Sequence, residues 1–437
     1  MRYYSILDIV LFISCCVMGW AIRPTKDLRQ LRYIYPLMML MGYGASLLFE
    51  IVSGDRVKDL FLVSSQIIWV LRFSTLGMVL YWFGYYTSSR STKGPDIEKT
   101  ITPPMISPWL IVPCAVFVFL ADIGEVGFDN LLRSSFSRSY GQFQETIPWT
   151  SFVTRLASAL AYPLVATAGV AWVSSRRSLY LLVPALVSVV PVARFSRGMF
   201  IPAAVFVLTA SIASPRKKHS VAIGVFAVCC VLGFIMGARL RHQSEGFGLA
   251  SIVDYYSGSA QTESDEASSL LRDLLVSTNV MPITSMVFQV GVRAEGDQTL
   301  GYLLSQLPIP SFLLPQWIPY TSLSYDLGWF GSGYPYPLIG ELWVFFGWWG
   351  ALLFWLIGMV CAKIDARVKW GGINTRYDYV TCALYGAMLY FSFRSFHSGM
   401  RSALRPLVYL ALIGIVIRYS HSRLAERNIS PTIQRAH

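Results

Sequence analysis

A cationic segment near the C-terminus, residues 393–406, carries the clearest chemical signature in the sequence. Arg394 is followed by His397, Arg401 and Arg405 at offsets of 3, 7 and 11 positions. If the segment is helical, these offsets place all four side chains on one narrow stripe. No Asp or Glu lies within fifteen residues of Arg394 or Arg405 along the chain. Because guanidinium groups bind phosphate oxygens in bidentate fashion and stay charged at any relevant pH, the stripe predicts a phosphate site.

Two further pairs of arginines lie at the ends of apolar segments. Arg194 and Arg197 are one helical turn apart in the sequence V-A-R-F-S-R-G-M. Arg239 and Arg241 follow another apolar segment, with His242 beside them. Each pair is a candidate for phosphate binding. The alternative is that these arginines hold helix ends in place or pair with acids of a long neighbouring loop.

Three residues are candidates for a general base. Glu341, in the sequence L-I-G-E-L-W-V-F-F-G-W-W-G, could accept a proton or orient one of the arginines. His397 lies within the arginine stripe, where neighbouring positive charge favours the neutral imidazole that a base requires. It could also act only as another donor to the anion. Asp326 is the third candidate, because it lies shortly before the apolar segment that contains Glu341.

Three other ionisable residues lie within apolar segments. Arg72 is near the centre of one segment, and Arg155 and Glu50 are near the ends of two others. A charge inside a membrane is costly, so such residues are functional candidates. An ion pair between Arg72 and Glu50 that holds two helices together is an equally good interpretation.

Several catalytic motifs are missing from the sequence. There is no D-x-D for a divalent ion, no Walker A motif, no G-x-S-x-G and no H-E-x-x-H. The cysteines lie in or at the end of apolar runs without a C-x-x-C pair, which argues against a zinc site or a disulfide framework. An enzyme built from this chain would therefore need neither metal nor cofactor. It would use a donor with its own activated leaving group, such as a lipid pyrophosphate, whose growing charge arginines would stabilise.

The composition indicates a membrane protein. The chain has 437 residues, of which 54% are hydrophobic and 14% charged, and its mean hydropathy is +0.50. Soluble domains carry about 25% charged residues. No basic run with interleaved aromatics indicates a nucleic-acid partner. We predict an all-α bundle of about eleven transmembrane helices, at residues 6–22, 33–52, 61–83, 108–123, 151–173, 178–193, 198–213, 220–238, 338–360, 378–393 and 403–418.

The loops between these helices alternate in basic content. One set of short segments holds more than half of the 36 Lys and Arg residues, which predicts that this set, with the C-terminal tail, is cytoplasmic. The other set contains residues 194–197, 394–402 and the long loop 239–337. We therefore expect three regions: a bundle over 1–238, a large, partly helical periplasmic loop over 239–337, and three spans with a tail over 338–437. The proline-rich stretch 307–320 suits a segment lying on the outer leaflet.

These features resemble the bacterial oligosaccharide repeat-unit polymerases, the Wzy-type O-antigen and exopolysaccharide polymerases. The resemblance rests on the many spans, the long outer loop before the last three, the turn S-R-G at 196–198 and the sequence I-G-E-L-W-V-F-F-G-W-W-G at 339–350. It implies a multi-pass protein of the bacterial inner membrane with a site facing the periplasm. It also implies transfer of a growing glycan from undecaprenyl pyrophosphate to a sugar hydroxyl of the next lipid-linked repeat.

The resemblance assigns roles and partners as well. Five of the arginines would hold the two pyrophosphates, namely Arg194, Arg197, Arg394, Arg401 and Arg405, and His397 or Glu341 would deprotonate the acceptor. The implied partners are the lipid-linked oligosaccharide, the bilayer, a chain-length regulator and a flippase. An O-antigen ligase shares the architecture and the donor. A transporter of lipid-linked sugars is a non-enzymatic alternative, which predicts basic residues at mid-depth on several spans.

Overall fold

A computed structural model describes a large part of the chain. The described residues are 3–22, 27–44, 64–91, 106–132, 148–196, 198–213, 219–243, 248–257, 296–305, 337–368, 376–395, 403–404 and 406–412. Within them the secondary structure is entirely helical, without a strand, as predicted. The predicted helical stretch of the long loop around 268–276 and the proline-rich stretch 307–320 lie outside these ranges.

Fourteen α-helices can be delimited in the described residues. In chain order they are α1 Tyr3–Ile22, α2 Leu31–Met39, α3 Ser64–Ser91, α4 Pro108–Val126, α5 Phe128–Leu132, α6 Pro148–Ser175, α7 Leu182–Ala193, α8 Ile201–Ala213, α9 His219–Gln243, α10 Leu249–Tyr256, α11 Gly296–Ser305, α12 Leu338–Phe346, α13 Leu352–Arg367 and α14 Arg376–Arg394. A π-turn at Leu40–Gly44 extends α2, and 3-10 turns at Ser178–Leu181 and Gly347–Ala351 precede α7 and α13.

Helix is present in the described part of every predicted span. The second span is described only to residue 44, the third only from residue 64, and the last only at 403–404 and 406–412. Two stretches, Ile67–Ser89 and Leu338–Arg367, are long and apolar enough to cross a membrane by length and composition. Six other apolar helices in the described part of the chain are shorter, with 10–17 residues. The described residues are thus all-α, with two membrane-capable helices among them.

The centre of the bundle is formed by α3 and α13, whose backbones are in close contact. A Cβ added to Gly84 of α3 would lie 2.1 Å from the carbonyl oxygen of Trp355, and one added to Gly358 of α13 would lie 2.1 Å from that of Tyr81. Such distances exclude any side chain, so both glycines are required for this packing. Small residues at a helix crossing are typical of membrane bundles, in which dispersion contacts drive association.

The helix α2 packs into this centre through Tyr35. The ring of Tyr35 stacks on Tyr81 at a centroid distance of 5.0 Å and on Phe391 of α14 at 6.1 Å. All three side chains are fully buried. Three separate elements therefore share one aromatic stack, which fixes the position of α14 relative to α2 and α3.

Helix α8 connects two ends of the bundle, and different segments of the chain meet at each end. Gly198, just before α8, contacts the ring of Phe393. At the other end of the helix, the backbone and hydroxyl oxygens of Ser211 accept hydrogen bonds from Arg29. We call one end of the bundle the Arg194 end; it consists of the turn 194–200, the start of α12 and the end of α14. We call the other end the Asp365 end; it consists of residues 27–32, the end of α8 and the end of α13.

The Asp365 end is a network of buried charges. Arg29 is fully buried, and its ion pair with Asp27 has an N–O distance of 2.5 Å. Its carbonyl oxygen accepts a hydrogen bond of 2.6 Å from the Tyr385 hydroxyl of α14. Arg29 and Arg32 belong to one of the basic segments between predicted spans, and both side chains are buried. A buried charge needs partners, and here other elements of the same chain supply them.

Candidate functional site

The turn after α7 places Arg194 at a helix C-terminus. Arg194 is the C-cap residue, and Phe195 follows with φ of 49°. The amide of Ser196 donates to the carbonyl oxygen of Pro191 at 2.8 Å, and that of Phe195 donates to Val192 at 3.0 Å. These two bonds form a Schellman motif, in which the left-handed position is usually glycine. A non-glycine residue there costs about 1–2 kcal/mol, which the complete burial of the Phe195 ring offsets.

The side chain of Arg194 is half-buried beside this turn. Among the described residues, no hydrogen bond or ion pair involves its guanidinium group. Burial of a cation without a partner is unfavourable, so this position suits an anionic ligand. Arg197, its predicted companion, lies outside the described residues.

The end of α14 supplies the second arginine. Arg394 is the last residue of α14, and its Nε donates a hydrogen bond of 3.0 Å to the hydroxyl of Tyr390. The Tyr390 ring stacks on Tyr162 of α6 with a centroid distance of 4.1 Å. The guanidinium predicted to be isolated therefore has a phenol partner.

The predicted stripe does not continue as one helix. Helix α14 ends at Arg394, and Ser395 follows as a turn. His397, Arg401 and Arg405 come after this turn and lie outside the described residues. Only Arg394 of the four can therefore be placed.

Glu341 is brought to the same end by the start of α12. The amide of Leu338 donates a hydrogen bond of 3.0 Å to the carbonyl oxygen of Ser395, so the first residue of α12 touches the residue after Arg394. Glu341 follows within the first turn of α12 and is buried, with 7% of its surface exposed. Its Oε2 accepts a hydrogen bond of 2.7 Å from the hydroxyl of Tyr302.

Tyr302 belongs to α11, a helix of the long loop that packs on α12. Its ring stacks on Phe345 at a centroid distance of 3.8 Å and an interplanar angle of 12°. The hydroxyl of Thr299 donates to the carbonyl oxygen of Phe345 at 3.3 Å. Burial and the negative charge of Glu341 raise the pKa of Tyr302 well above its ordinary value, so Tyr302 remains a donor. No sequence pattern points to Tyr302, since one tyrosine in a long loop carries no local signal.

Arg194 and Glu341 thus lie on two segments that each contact the end of α14, where Arg394 is located. Gly198 makes the first of these contacts, because a Cβ on it would lie 3.3 Å from Cε1 of Phe393. The backbone of Arg239 and Arg241 forms the last turn of α9, which continues to Gln243 rather than ending at 238 as predicted. Asp326 lies outside the described residues.

The charges predicted within apolar segments are placed differently from expectation. Arg72 forms an ion pair of 3.1 Å with Asp8 of α1, and its guanidinium carbon is 5.5 Å from the centroid of the Trp69 ring. Its side chain is 45% exposed. Arg72 therefore pairs with Asp8 and is not buried; Glu50, its predicted partner, lies outside the described residues. The backbone of Arg155 belongs to α6.

The chemistry available at the Arg194 end is that of cations beside a carboxylate. The guanidinium groups can bind phosphate oxygens, and a carboxylate can accept a proton from a hydroxyl. In the described part of the chain, no cluster of three His, Cys, Asp or Glu side chains has the arrangement of a metal site. Comparison with known proteins adds no relative: no protein-family model, no curated protein and no solved structure matches this chain.

Proposed function

We propose that this chain is a membrane glycosyltransferase that polymerises lipid-linked oligosaccharide repeat units. The proposal combines the resemblance of the sequence to repeat-unit polymerases with the chemistry of the Arg194 end. In it, the predicted eleven helices cross the bacterial inner membrane, the Arg194 end faces the periplasm, and the Asp365 end faces the cytosol.

The observation that carries the proposal is the half-buried guanidinium of Arg194, which has no partner among the described residues. The turn that contains Arg194 contacts the end of α14 beside Arg394. A cation on a turn whose backbone is fixed by a Schellman motif, with no counter-charge in the described part of the chain, favours an anion from outside the chain. At a membrane surface, a pyrophosphate attached to a lipid is an anion that reaches such a site by lateral diffusion. The carboxylate of Glu341 nearby adds the base that a transfer to a hydroxyl requires.

The proposed reaction is a displacement at the anomeric carbon of the donor. The oxygen of an acceptor sugar hydroxyl bonds to that carbon, and the bond from the carbon to the pyrophosphate oxygen breaks. Undecaprenyl pyrophosphate leaves with the electron pair, and Arg194 and Arg394 stabilise the charge that grows on it. The hydroxyl proton passes to Glu341 or, as the sequence also allows, to His397.

Two arginine variants test the site. Arg194→Ala and Arg394→Ala should each lower chain growth about 10- to 100-fold, since a hydrogen bond to a charged group contributes about 1.5–3 kcal/mol. The matched control is Arg177→Ala, an exposed arginine between α6 and α7. Glycan length is measured with purified, reconstituted protein and a synthetic lipid-linked repeat. Wild-type chain lengths in both site variants would contradict the proposal.

The reconstituted protein and a strain that lacks the chain together separate the alternatives. A strain without the chain should still carry single repeats on its lipid A core if the protein is a polymerase, and none if it is a ligase. Movement of labelled lipid across the reconstituted bilayer, without any lengthening of the glycan, would instead indicate a transporter.

A further inference from the structure

We infer that Tyr302 is the positioning residue of Glu341, and that the loop helix α11 must therefore be packed on α12 for the carboxylate to act. The inference rests on the proposed function, in which Glu341 accepts the proton of the acceptor hydroxyl. It assigns a role to a residue that the charge pattern of the sequence did not select.

The contacts between α11 and α12 have two separate parts. One part holds the helices together: the Tyr302 ring lies on Phe345, and Thr299 donates to the Phe345 carbonyl oxygen at 3.3 Å. The other part is the hydroxyl of Tyr302, whose 2.7 Å bond to Glu341 adds nothing to the ring stack. A phenylalanine would preserve the first part and remove the second.

The hydroxyl matters because Glu341 is buried. An ionised carboxylate with 7% of its surface exposed has lost most of its water, and a hydrogen bond from a neutral phenol favours the ionised form. Tyr302 itself keeps its proton, because burial and the adjacent charge raise its pKa. The phenol therefore fixes the carboxylate oxygen and favours its basic form without giving up its own proton.

Two substitutions separate positioning from helix packing. Tyr302→Phe removes only the hydroxyl, and Thr299→Val removes a packing hydrogen bond that does not touch Glu341. The matched control is Tyr180→Phe, which removes a buried tyrosine hydroxyl that donates to the carbonyl oxygen of Ile106, far from the Arg194 end. Glu341→Gln completes the set as the variant without a base.

The measurement is the pH dependence of kcat/KM for chain growth by the reconstituted protein. Tyr302→Phe should lower kcat/KM about 10-fold at neutral pH and move the acidic limb of the profile upward by about one pH unit, because the ionised carboxylate loses a donor. Tyr180→Phe and Thr299→Val should leave the limb in place, and Glu341→Gln should be inactive at every pH. A thermal unfolding curve for each variant confirms that it is folded.

The outcomes distinguish this inference from the proposed function. A wild-type protein that never lengthens the glycan would overturn the proposed function. If the wild type lengthens it and Glu341→Gln does not, but Tyr302→Phe shows the wild-type profile, Tyr302 has no positioning role and the function stands. If Tyr302→Phe is unfolded, Tyr302→His provides the second variant, because the histidine ring can donate a hydrogen bond to Glu341. An acidic limb at the wild-type pH in that variant supports the positioning role, and a displaced limb opposes it.

Discussion

Replacing Asp365 with alanine should destabilise the protein more than any other single carboxylate change at the Asp365 end. The carboxylate of Asp365 accepts three hydrogen bonds: from the amide of Leu31 at 2.9 Å, from the amide of Arg32 at 3.2 Å and from the hydroxyl of Tyr85 at 2.9 Å. The two amides are the first of α2, whose own N-cap residue, Gln30, makes no side-chain cap. Asp365 therefore caps a helix that lies more than three hundred residues away in the sequence.

The magnitude follows from the donors left without an acceptor. Each buried donor that loses its partner costs about 1–3 kcal/mol, and loss of a helix cap alone costs about 0.5–2 kcal/mol. Because some of the donors can shift toward other acceptors, we expect Asp365→Ala to lower the free energy of unfolding by about 3–5 kcal/mol. Asp365→Asn keeps one oxygen acceptor and should cost about 1–3 kcal/mol.

The assay is unfolding of the purified protein in mixed micelles by increasing SDS, followed by far-UV circular dichroism and by the fluorescence of its 13 tryptophans. The matched control is Asp129→Ala, an exposed carboxylate in the first turn of α5, for which a change below about 1 kcal/mol is expected. If Asp365→Ala unfolds at the same SDS fraction as the wild type, the carboxylate does not hold α2, and the account of this end is refuted.

Two further predictions concern helix packing and can use the same unfolding assay. Gly358→Ala should destabilise the protein by about 2–4 kcal/mol, because its Cβ would lie 2.1 Å from the carbonyl oxygen of Tyr81. The control Gly224→Ala, with no atom within 4 Å of the added Cβ, should be neutral or stabilising. Equal effects of the two substitutions would contradict the close packing of α3 and α13. In a double-mutant cycle, Arg72→Ala and Asp8→Ala should show a coupling energy of about 1 kcal/mol, and additive effects would mean that the 3.1 Å ion pair contributes nothing.

The sequence predicted the positions of helices well, because long apolar runs have few alternatives to helix in this composition. The predicted span 178–193 corresponds to the 3-10 turn at Ser178–Leu181 with α7, and 108–123 lies within α4. Arg194 and Arg394 lie at one end of the bundle and Arg29 at the other; the side of a membrane that each end faces stays a prediction. The helix positions depend on local composition and on chain order, both of which the sequence contains.

The hydrogen-bond and ion-pair partners of individual side chains could not be predicted from the sequence. The amide of Leu31 and its acceptor Asp365 are separated by 334 positions, and no periodicity relates them. The hydrogen bond from Arg394 to Tyr390, whose ring stacks on Tyr162 of α6, also has no signal in the sequence. The pairing of Arg72 with Asp8 depends on how α1 packs against α3, which hydrophobic pattern alone does not determine.

The two ends of the long loop contact the bundle beside Arg194 and Arg394. The amide of Gly248, before α10, donates to the carbonyl oxygen of Ala193 at 2.9 Å, next to Arg194, and the amide of Leu338, after the loop, donates to Ser395 at 3.0 Å, next to Arg394. Under the proposed function, an anion bound by both arginines would therefore lie beside both ends of the loop. Since α11 of the same loop carries Tyr302, this loop supplies the hydrogen-bond partner of Glu341 as well as the backbone contacts beside Arg194 and Arg394.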